Sequence, residues 1–261
     1  MKLLTFNCGA VPLITPAVDA RLVRLLDEIR RIDPDVICLQ ELMSAAHAQW
    51  LHDHLGWKQS FWETGKRGWV AGGLAIFSKL PLTATSFRPF SRQAPLLGFG
   101  ALSRLWGKGF MRIELGSPRT VLFHTDLIQD YGATRWTLTN YAKLQAAQAA
   151  EMTEAMRGER LAGRAIVAGC LNATPSSEVL RGLAQLRLAD IMGGSEEPST
   201  LPEDRFALRF GVRRRLARLD YILDSAGPGQ AWWVFEELHA FADRRSTLSY
   251  HRGLLGQMRD P

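Results

Sequence analysis

Apolar residues near the start of the chain follow two different spacings. Residues 2–7 and 35–40 are short apolar runs that predict buried strands, and residues 22–32 carry apolar side chains at helical spacing. Thr15-Pro16 is a signal for the N-cap and first turn of that helix. Asp33-Pro34 ends it, because the residue before a proline is pushed into an extended conformation. The chain is therefore predicted to open with a strand, a helix and a second strand.

The rest of the chain is predicted to contain more strands than helices. Helices are expected over residues 43–54 and 134–157 and directly after Thr174-Pro175. Further strands are expected over residues 57–63, 72–78, 111–115, 120–125, 164–169, 219–223, 232–236 and 253–258. No linker or repeat interrupts this pattern, so residues 1–261 are interpreted as one domain. The order of elements predicts an α/β fold in which two mixed sheets pack face to face with helices outside.

Length and composition fit a globular α/β domain. The chain has 261 residues, of which 46% are hydrophobic and 22% charged, and this is enough to bury a large core. No apolar run reaches the length of a membrane span and the first residues lack the pattern of a secretion signal, so a cytoplasmic location is expected. Cys8, Cys38 and Cys170 include no CxxC spacing, which argues against a disulfide framework or a zinc knuckle.

The charge of the chain is basic and comes mostly from arginine. The formal net charge is +6, and the densest stretch, residues 205–218, contains Arg205, Arg209, Arg213, Arg214, Arg215 and Arg218. Such a stretch suits an anionic partner, which could be a phosphate group, a nucleic acid or an acidic membrane surface. A solvated, arginine-rich face without a partner explains the composition equally well. No feature of the sequence indicates a protein partner.

Seven short motifs follow one another at predicted strand ends and loops. In chain order they are Phe6-Asn7, Leu39-Gln40-Glu41, Gly73-Leu74-Ala75, His124-Thr125-Asp126-Leu127, Gly169-Cys170-Leu171-Asn172, Arg218-Leu219-Asp220 and Ser249-Tyr250-His251. This series resembles the endonuclease/exonuclease/phosphatase superfamily from end to end. Ser78-Lys79-Leu80-Pro81 and Lys108-Gly109-Phe110 are most similar to its neutral-sphingomyelinase-like branch. The resemblance implies a DNase-I-like, four-layer sandwich of two packed mixed sheets flanked by helices.

The resemblance also implies a chemistry, the attack of water on a phosphorus ester assisted by Mg²⁺ or Mn²⁺. It implies that Glu41 is the principal metal ligand, and that Asn7 and Asn172 orient metal, water or phosphate. It further implies that Asp220 holds His251, so that the imidazole can serve the phosphate or the proton transfer.

Three positions depart from the family pattern, and each departure changes a charge at the reacting centre. Asp126 stands where the family has histidine, so a carboxylate that repels phosphoryl oxygens replaces a donor to them. Cys170 stands where the family has aspartate, and a thiol is mostly neutral at pH 7 and a poor acceptor for the proton of the attacking water. Tyr250 replaces a second aspartate. The altered site is expected to bind Mg²⁺ weakly, whereas a softer metal such as Zn²⁺ suits thiolate and imidazole ligands.

Several other residues have a functional and a structural interpretation. His124 lies two residues before Asp126 and so points to the same side of the strand, but a satisfied core histidine is the commoner state. Cys170 could act as a nucleophile or metal ligand beside His251, although a buried structural cysteine is favoured. The apolar segments 95–102 and 232–235 could touch a membrane, but a packed loop and a core strand are the more usual interpretations.

Three functional hypotheses follow, in order of preference. The first is a weakened or non-catalytic phosphoesterase relative that still binds an anionic phosphate ligand, and the three substitutions favour it. The second is an active Mg²⁺-dependent phosphodiesterase or phosphatase with a rearranged site, acting on a lipid headgroup or a nucleic acid. The third is a basic nucleic-acid-binding protein, for which a steep salt dependence of binding would be diagnostic.

Overall fold

The computed structural model of the chain describes residues 1–12, 14–96, 100–116, 119–130, 140–160, 163–202, 216–241 and 244–259. Within these residues the strands are β1 (Lys2–Asn7), β2 (Val36–Gln40), β3 (Gln59–Phe61), β4 (Ala75–Ser78), β5 (Leu82–Pro89), β6 (Gly109–Leu115), β7 (Thr120–Asp126), β8 (Arg164–Cys170), β9 (Ala189–Asp190), β10 (Asp220–Asp224), β11 (Gln230–Val234), β12 (His239–Phe241), β13 (Arg244–Ser246) and β14 (Gly253–Gln257). The α-helices are α1 (Val18–Ile32), α2 (Ala45–Leu55), α3 (Ala101–Trp106), α4 (Tyr141–Arg160) and α5 (Glu178–Ala184).

Two six-stranded mixed sheets form the centre of the fold. Their strand orders are β11-β14-β1-β2-β4-β3 and β5-β6-β7-β8-β10-β9, and β12 and β13 form a separate hairpin. Each large sheet contains one parallel pair, β1 with β2 and β7 with β8, while the other neighbours are antiparallel. The prediction of two mixed sheets in an α/β fold is therefore confirmed.

Three apolar clusters show that the fold has four layers. One cluster joins the two sheets through side chains such as Val36 and Ile76 on one side and Met111 and Ile166 on the other. A second joins the first sheet to α1 and α2, and a third joins the second sheet to α4 and α5. Both sheets are consequently covered on both faces, which explains why their strands are apolar runs and not alternating ones.

His124 lies between the two sheets and contacts the backbone of both. One ring nitrogen is 3.0 Å from the carbonyl oxygen of Ala168 in β8, and the other is 2.9 Å from that of Leu39 in β2. The side chain is fully buried, and this burial lowers the pKa of His124. The structure thus places His124 in the core, in contact with main-chain acceptors.

Gly169 allows the close approach of β7 and β8 next to the site. Its φ is 149°, in the range that side chains rarely adopt, and a Cβ atom there would lie 1.9 Å from the carbonyl oxygen of Thr125. The register places Asp126 opposite Cys170 in this parallel pair. A glycine before Cys170 is therefore required to bring the two strand ends together.

Several element boundaries differ from the sequence predictions. α1 begins at Val18 after a left-handed Ala17, so the N-cap expected at Thr15-Pro16 is wrong; the Thr15 hydroxyl donates instead to the carbonyl of Gly9. Ser177, not Thr174, caps α5, because its Oγ accepts a hydrogen bond from the Leu180 amide. Residues 134–139 of the predicted long helix lie outside the described residues, and α4 begins at Tyr141.

The sequence did not predict five of the strands and helices given above, which are β5, β9, β12, β13 and α3. Most side chains of β5 are exposed. β5 is an edge strand, and α3 starts inside the segment expected to be a packed loop. In the apolar segment 95–102, Leu96 is 72% exposed and residues 97–99 lie outside the described residues. In the apolar segment 232–235, Trp232 on the edge strand β11 is 47% exposed. No described helix is both long and apolar enough to cross a membrane.

Candidate functional site

The sequence-predicted site residues lie at or just beyond strand ends. Asn7 ends β1, Asp126 ends β7, Cys170 ends β8 and Asp220 begins β10. The other four are in the adjoining connections: Glu41, Asn172, Tyr250 and His251. Direct contacts join residues from distant parts of the chain, because Tyr250 bonds Glu41, His251 bonds Asp220, and Asn172 bonds Asp126.

Asp220 and His251 form a buried hydrogen-bonded pair. The Nδ1 atom of His251 is 2.6 Å from Oδ2 of Asp220, and the side chains are 2% and 0% exposed. Ser199, which sequence reasoning missed, donates from Oγ to the same carboxylate oxygen at 2.6 Å. Because ionised Asp220 is only an acceptor, the contact assigns a proton to Nδ1 and fixes the ring orientation. The structure therefore places the residues implied by the family resemblance in the expected mutual contact.

Asp126 is held by two donors. Lys108 Nζ contacts its Oδ2 atom, and Asn172 Nδ2 donates to its Oδ1 atom at 3.1 Å. Desolvation raises the pKa of Asp126 to about 6, because burial outweighs the opposing effect of Lys108. At pH 7 and above the carboxylate is thus mostly ionised, and it accepts hydrogen bonds from the Lys108 ammonium group and the Asn172 side-chain amide.

Lys108 was not among the predicted site residues. In the sequence Lys108-Gly109-Phe110 is only a branch marker, and a lysine before an apolar strand gives no signal of burial, because lysine is rarely buried. The side chain is 9% exposed, and β6, which follows it, pairs with β7 so that Lys108 reaches Asp126. The site therefore contains a buried ammonium group that is already neutralised by a carboxylate of the same chain.

Glu41 accepts a short hydrogen bond from the residue that replaces a family carboxylate. The hydroxyl of Tyr250 is 2.6 Å from Oε2 of Glu41, and the ring of Tyr250 packs against His251 with centroids 4.6 Å apart. Both Glu41 and Asn172 have positive φ, at 55° and 51°. Such backbone outliers at a strand end often mark functional positions, since the surrounding fold must stabilise them.

The residues present do not fit a tightly held Mg²⁺ ion. Mg²⁺ takes oxygen ligands, and the two candidates at the ends of the parallel strands β1 and β2 are Glu41 and Asn7. Tyr250 already binds Glu41, and Asn7 Oδ1 accepts from the amide of Gly9 at 3.1 Å. Among the described residues, Glu41 belongs to no group of three His, Cys, Asp or Glu side chains with ligand atoms close together. Glu41 and Asn7 could thus offer only a weak oxygen site.

Cys170 is a buried, protonated thiol. Its side chain is fully inaccessible, and burial, reinforced by the nearby carboxylates of Asp220 and Asp126, raises the pKa of Cys170 well above its ordinary value. A thiol that keeps its proton at neutral pH cannot accept one from an attacking water. The position where the family has a carboxylate therefore provides no general base here.

Only the last residues of the arginine-rich stretch, 216–218, belong to the described part of the chain. Residues 203–215, including Arg205, Arg209, Arg213, Arg214 and Arg215, lie outside the described part of the chain. Arg218 is described and buried, and its guanidinium pairs with Asp190 at 2.5 and 2.6 Å and stacks on the Tyr221 ring. Arg218 therefore stabilises the fold near β10 and is not an exposed anion-binding residue.

Comparison with known proteins gives a family match over nearly the whole chain. The model of the Endonuclease/Exonuclease/phosphatase family matches residues 4–244. An inositol phosphosphingolipids phospholipase C of Schizosaccharomyces pombe is 25% identical over 135 residues, which are 51% of this chain and 32% of that protein. The match thus spans about a third of that relative's length.

Solved structures show the same fold at low sequence identity. Sphingomyelinase C from Streptomyces griseocarneus has a TM-score of 0.74 and 18% identity, covering 98% of each chain. A beta toxin mutant from Staphylococcus aureus with bound magnesium ions has a TM-score of 0.76 and 15% identity, covering 99% of each chain. Truncated TDP2 from Caenorhabditis elegans has a TM-score of 0.69 and 14% identity, covering 98% of this chain and 96% of that one.

Proposed function

Because the chain belongs to the endonuclease/exonuclease/phosphatase family, we propose that it is a weakened or non-catalytic phosphoesterase relative that binds an anionic phosphate ligand. The proposed binding residues are Asn7, Asn172, His251 and Lys108, whereas Glu41, as a carboxylate, could contact a phosphate group only through a bound cation. The observation that carries the proposal is the contact of Lys108 and Asn172 with the Asp126 carboxylate. These two donors at the strand ends already hold an anion.

Binding of a phosphate group is supported by the kind of donors that meet at these strand ends. An ammonium group and a side-chain amide are common ligands of phosphoryl oxygens, and their interactions are strengthened where water is partly excluded. Asp126 offers them two carboxylate oxygens, which is the same acceptor chemistry. An incoming phosphate therefore competes with Asp126 for Lys108 and Asn172, and this competition weakens its binding.

Weak catalysis is supported by the protonation state of the groups at these strand ends. Hydrolysis of a phosphorus ester needs a base for the attacking water and positive charge where negative charge develops. Here Cys170 retains its proton, and Lys108 is neutralised by Asp126. His251 remains the group placed to hold or move a proton, oriented by Asp220.

An active phosphodiesterase or phosphatase is the second candidate function. The intact contact between Asp220 and His251 favours it, as does the presence among the similar proteins of a phosphosphingolipid phospholipase C and a sphingomyelinase C. A lipid headgroup or a nucleic acid would be the substrate class in that case. Nucleic-acid binding without catalysis has only the net charge of +6 in its support.

Calorimetric titration with inorganic phosphate at pH 7.5 tests the proposed binding. Wild-type protein is expected to bind weakly, and Asp126→Asn to bind on the order of 10-fold or more tightly, because the variant removes one competing negative charge. Asp224→Asn is the matched control, since Asp224 is also a buried, ion-paired aspartate but lies at the opposite end of β10 and pairs with Arg164. Equal phosphate affinity of folded wild type and Asp126→Asn would contradict the proposal.

A further inference from the structure

Cys170, Asp220 and His251 form a compact cluster of potential metal ligands. One ligand atom from each lies within 4.8 Å of the others, and all three side chains are buried. The second carboxylate oxygen of Asp220, Oδ1, accepts no hydrogen bond from the described residues, although the side chain is fully buried. An unpartnered buried carboxylate oxygen is costly, and its usual partner is an ordered water or an ion.

The donor set determines which ion would suit the cluster. A thiolate, an imidazole and a carboxylate are ligands of Zn²⁺ and similar soft divalent cations, whereas Mg²⁺ takes oxygen ligands. We propose that Cys170, Asp220 and His251 form a binding site for one Zn²⁺-class cation, with a fourth position for water or another oxygen ligand. The sequence alone favoured a buried structural cysteine at position 170, and the geometry of the cluster now supports a metal-binding role.

Binding requires a small local rearrangement. Two ligands on one tetrahedral Zn²⁺ ion, at bond lengths of about 2.0–2.2 Å, lie about 3.3 Å apart. If Nδ1 of His251 and Oδ2 of Asp220 both bind the cation, the 2.6 Å hydrogen bond between them must therefore open by several tenths of an ångström, whereas binding through the unpartnered Oδ1 leaves Oδ2 to Ser199. Ser199 Oγ continues to donate to Asp220 Oδ2, and this outer contact orients the carboxylate.

The proton balance of binding is defined by the three ligands. The Cys170 thiol must release its proton to solvent, because the thiolate is the metal ligand. If the cation takes Nδ1 of His251, the proton that Nδ1 now donates to Asp220 must move to Nε2 or to solvent. Asp220 binds as the carboxylate. Binding therefore releases at least the thiol proton, so below the pKa of the thiol the affinity should rise with pH.

This site goes beyond the proposed phosphate function and can be tested without any phosphate. Titration of the full chain with Co²⁺, in a phosphate-free buffer, should produce a near-ultraviolet thiolate-to-cobalt absorption band that saturates at one equivalent. Excess Zn²⁺ should abolish the band by displacing Co²⁺, and excess Mg²⁺ should not. The band should also strengthen between pH 6 and pH 8 at subsaturating Co²⁺, because binding releases a proton.

Matched cysteine variants identify the ligand. Cys170→Ser should lose the band, while Cys38→Ser should keep it, because Cys38 is equally buried but lies outside the cluster. Circular dichroism would establish that each variant folds, and His251→Gln, which should weaken Co²⁺ binding at least tenfold, provides a second test if Cys170→Ser does not fold. Absence of a band in the wild type would overturn the proposal, and so would a band retained in Cys170→Ser. Either result leaves the phosphate titration informative.

Discussion

The triple variant Cys170→Asp, Tyr250→Asp and Asp126→His is expected to hydrolyse a generic phosphodiester in the presence of Mg²⁺ at least about 100-fold faster than the wild type. The first two substitutions restore oxygen ligands and an acceptor for the proton of the attacking water. The third replaces the Asp126 carboxylate by an imidazole that can donate to phosphoryl oxygens. It also releases Lys108 and Asn172 from the contact that now occupies them.

Each single substitution should achieve much less than the triple variant. Metal, water and phosphate must be positioned together, so residues that act as a unit give effects that are not additive. The comparison uses equal amounts of folded protein, and an Asn172→Ala version of the triple variant controls for contaminating phosphoesterases. Activity of the triple variant that stays at the wild-type level, or that survives Asn172→Ala, would contradict the assigned roles of the substituted positions.

Lys108→Met is expected to reduce the free energy of unfolding by about 3–5 kcal/mol at pH 8, because it leaves Asp126 buried without its cation. The loss should be smaller at pH 5. Burial already raises the pKa of Asp126 to about 6, so the folded state binds more protons than the unfolded state between the two pKa values. Stability therefore falls as the pH rises through this range, and removing the opposing cation makes the fall steeper.

Urea unfolding of the wild type and variants at both pH values would measure this effect. Lys143→Met removes one positive charge from an exposed position of α4, and it should change stability by no more than about 0.5 kcal/mol. Adding Asp126→Asn to Lys108→Met should recover much of the lost stability, since no buried charge is then unpaired. A Lys108→Met variant that is equally destabilised at pH 5 and pH 8, and not rescued by the second substitution, would contradict the ion-pair account.

Much of the fold was predictable because its strands carry a strong local signal. The runs at residues 2–7, 35–40 and 164–169 are mostly apolar, since both faces of each sheet are covered, and they recur as β1, β2 and β8. The order of motifs along the chain then indicated which strand ends meet. The edge strands β3 and β11 were also predicted, whereas the edge strand β5 was missed because most of its side chains face solvent.

The electrostatic details of the site were not predictable from residue types alone. Lys108 and Asp126 meet because β6 and β7 pair in one particular register, and Ser199 reaches Asp220 through a connection with no motif. Glu41 and Tyr250 are 209 positions apart in sequence. These contacts depend on long-range packing, whereas the pairing of Asp220 with His251 was implied by the family resemblance and is observed in the structure.

The most direct test of the central claim is the turnover of wild-type protein with sphingomyelin and with a generic phosphodiester, with and without Mg²⁺. The account predicts little or no Mg²⁺-dependent hydrolysis of either compound, because Cys170 retains its proton and Asp126 occupies Lys108. His251→Ala, prepared in parallel, should then show the same background rate as the wild type. Robust wild-type turnover that His251→Ala abolishes would contradict the account and establish the chain as an active hydrolase.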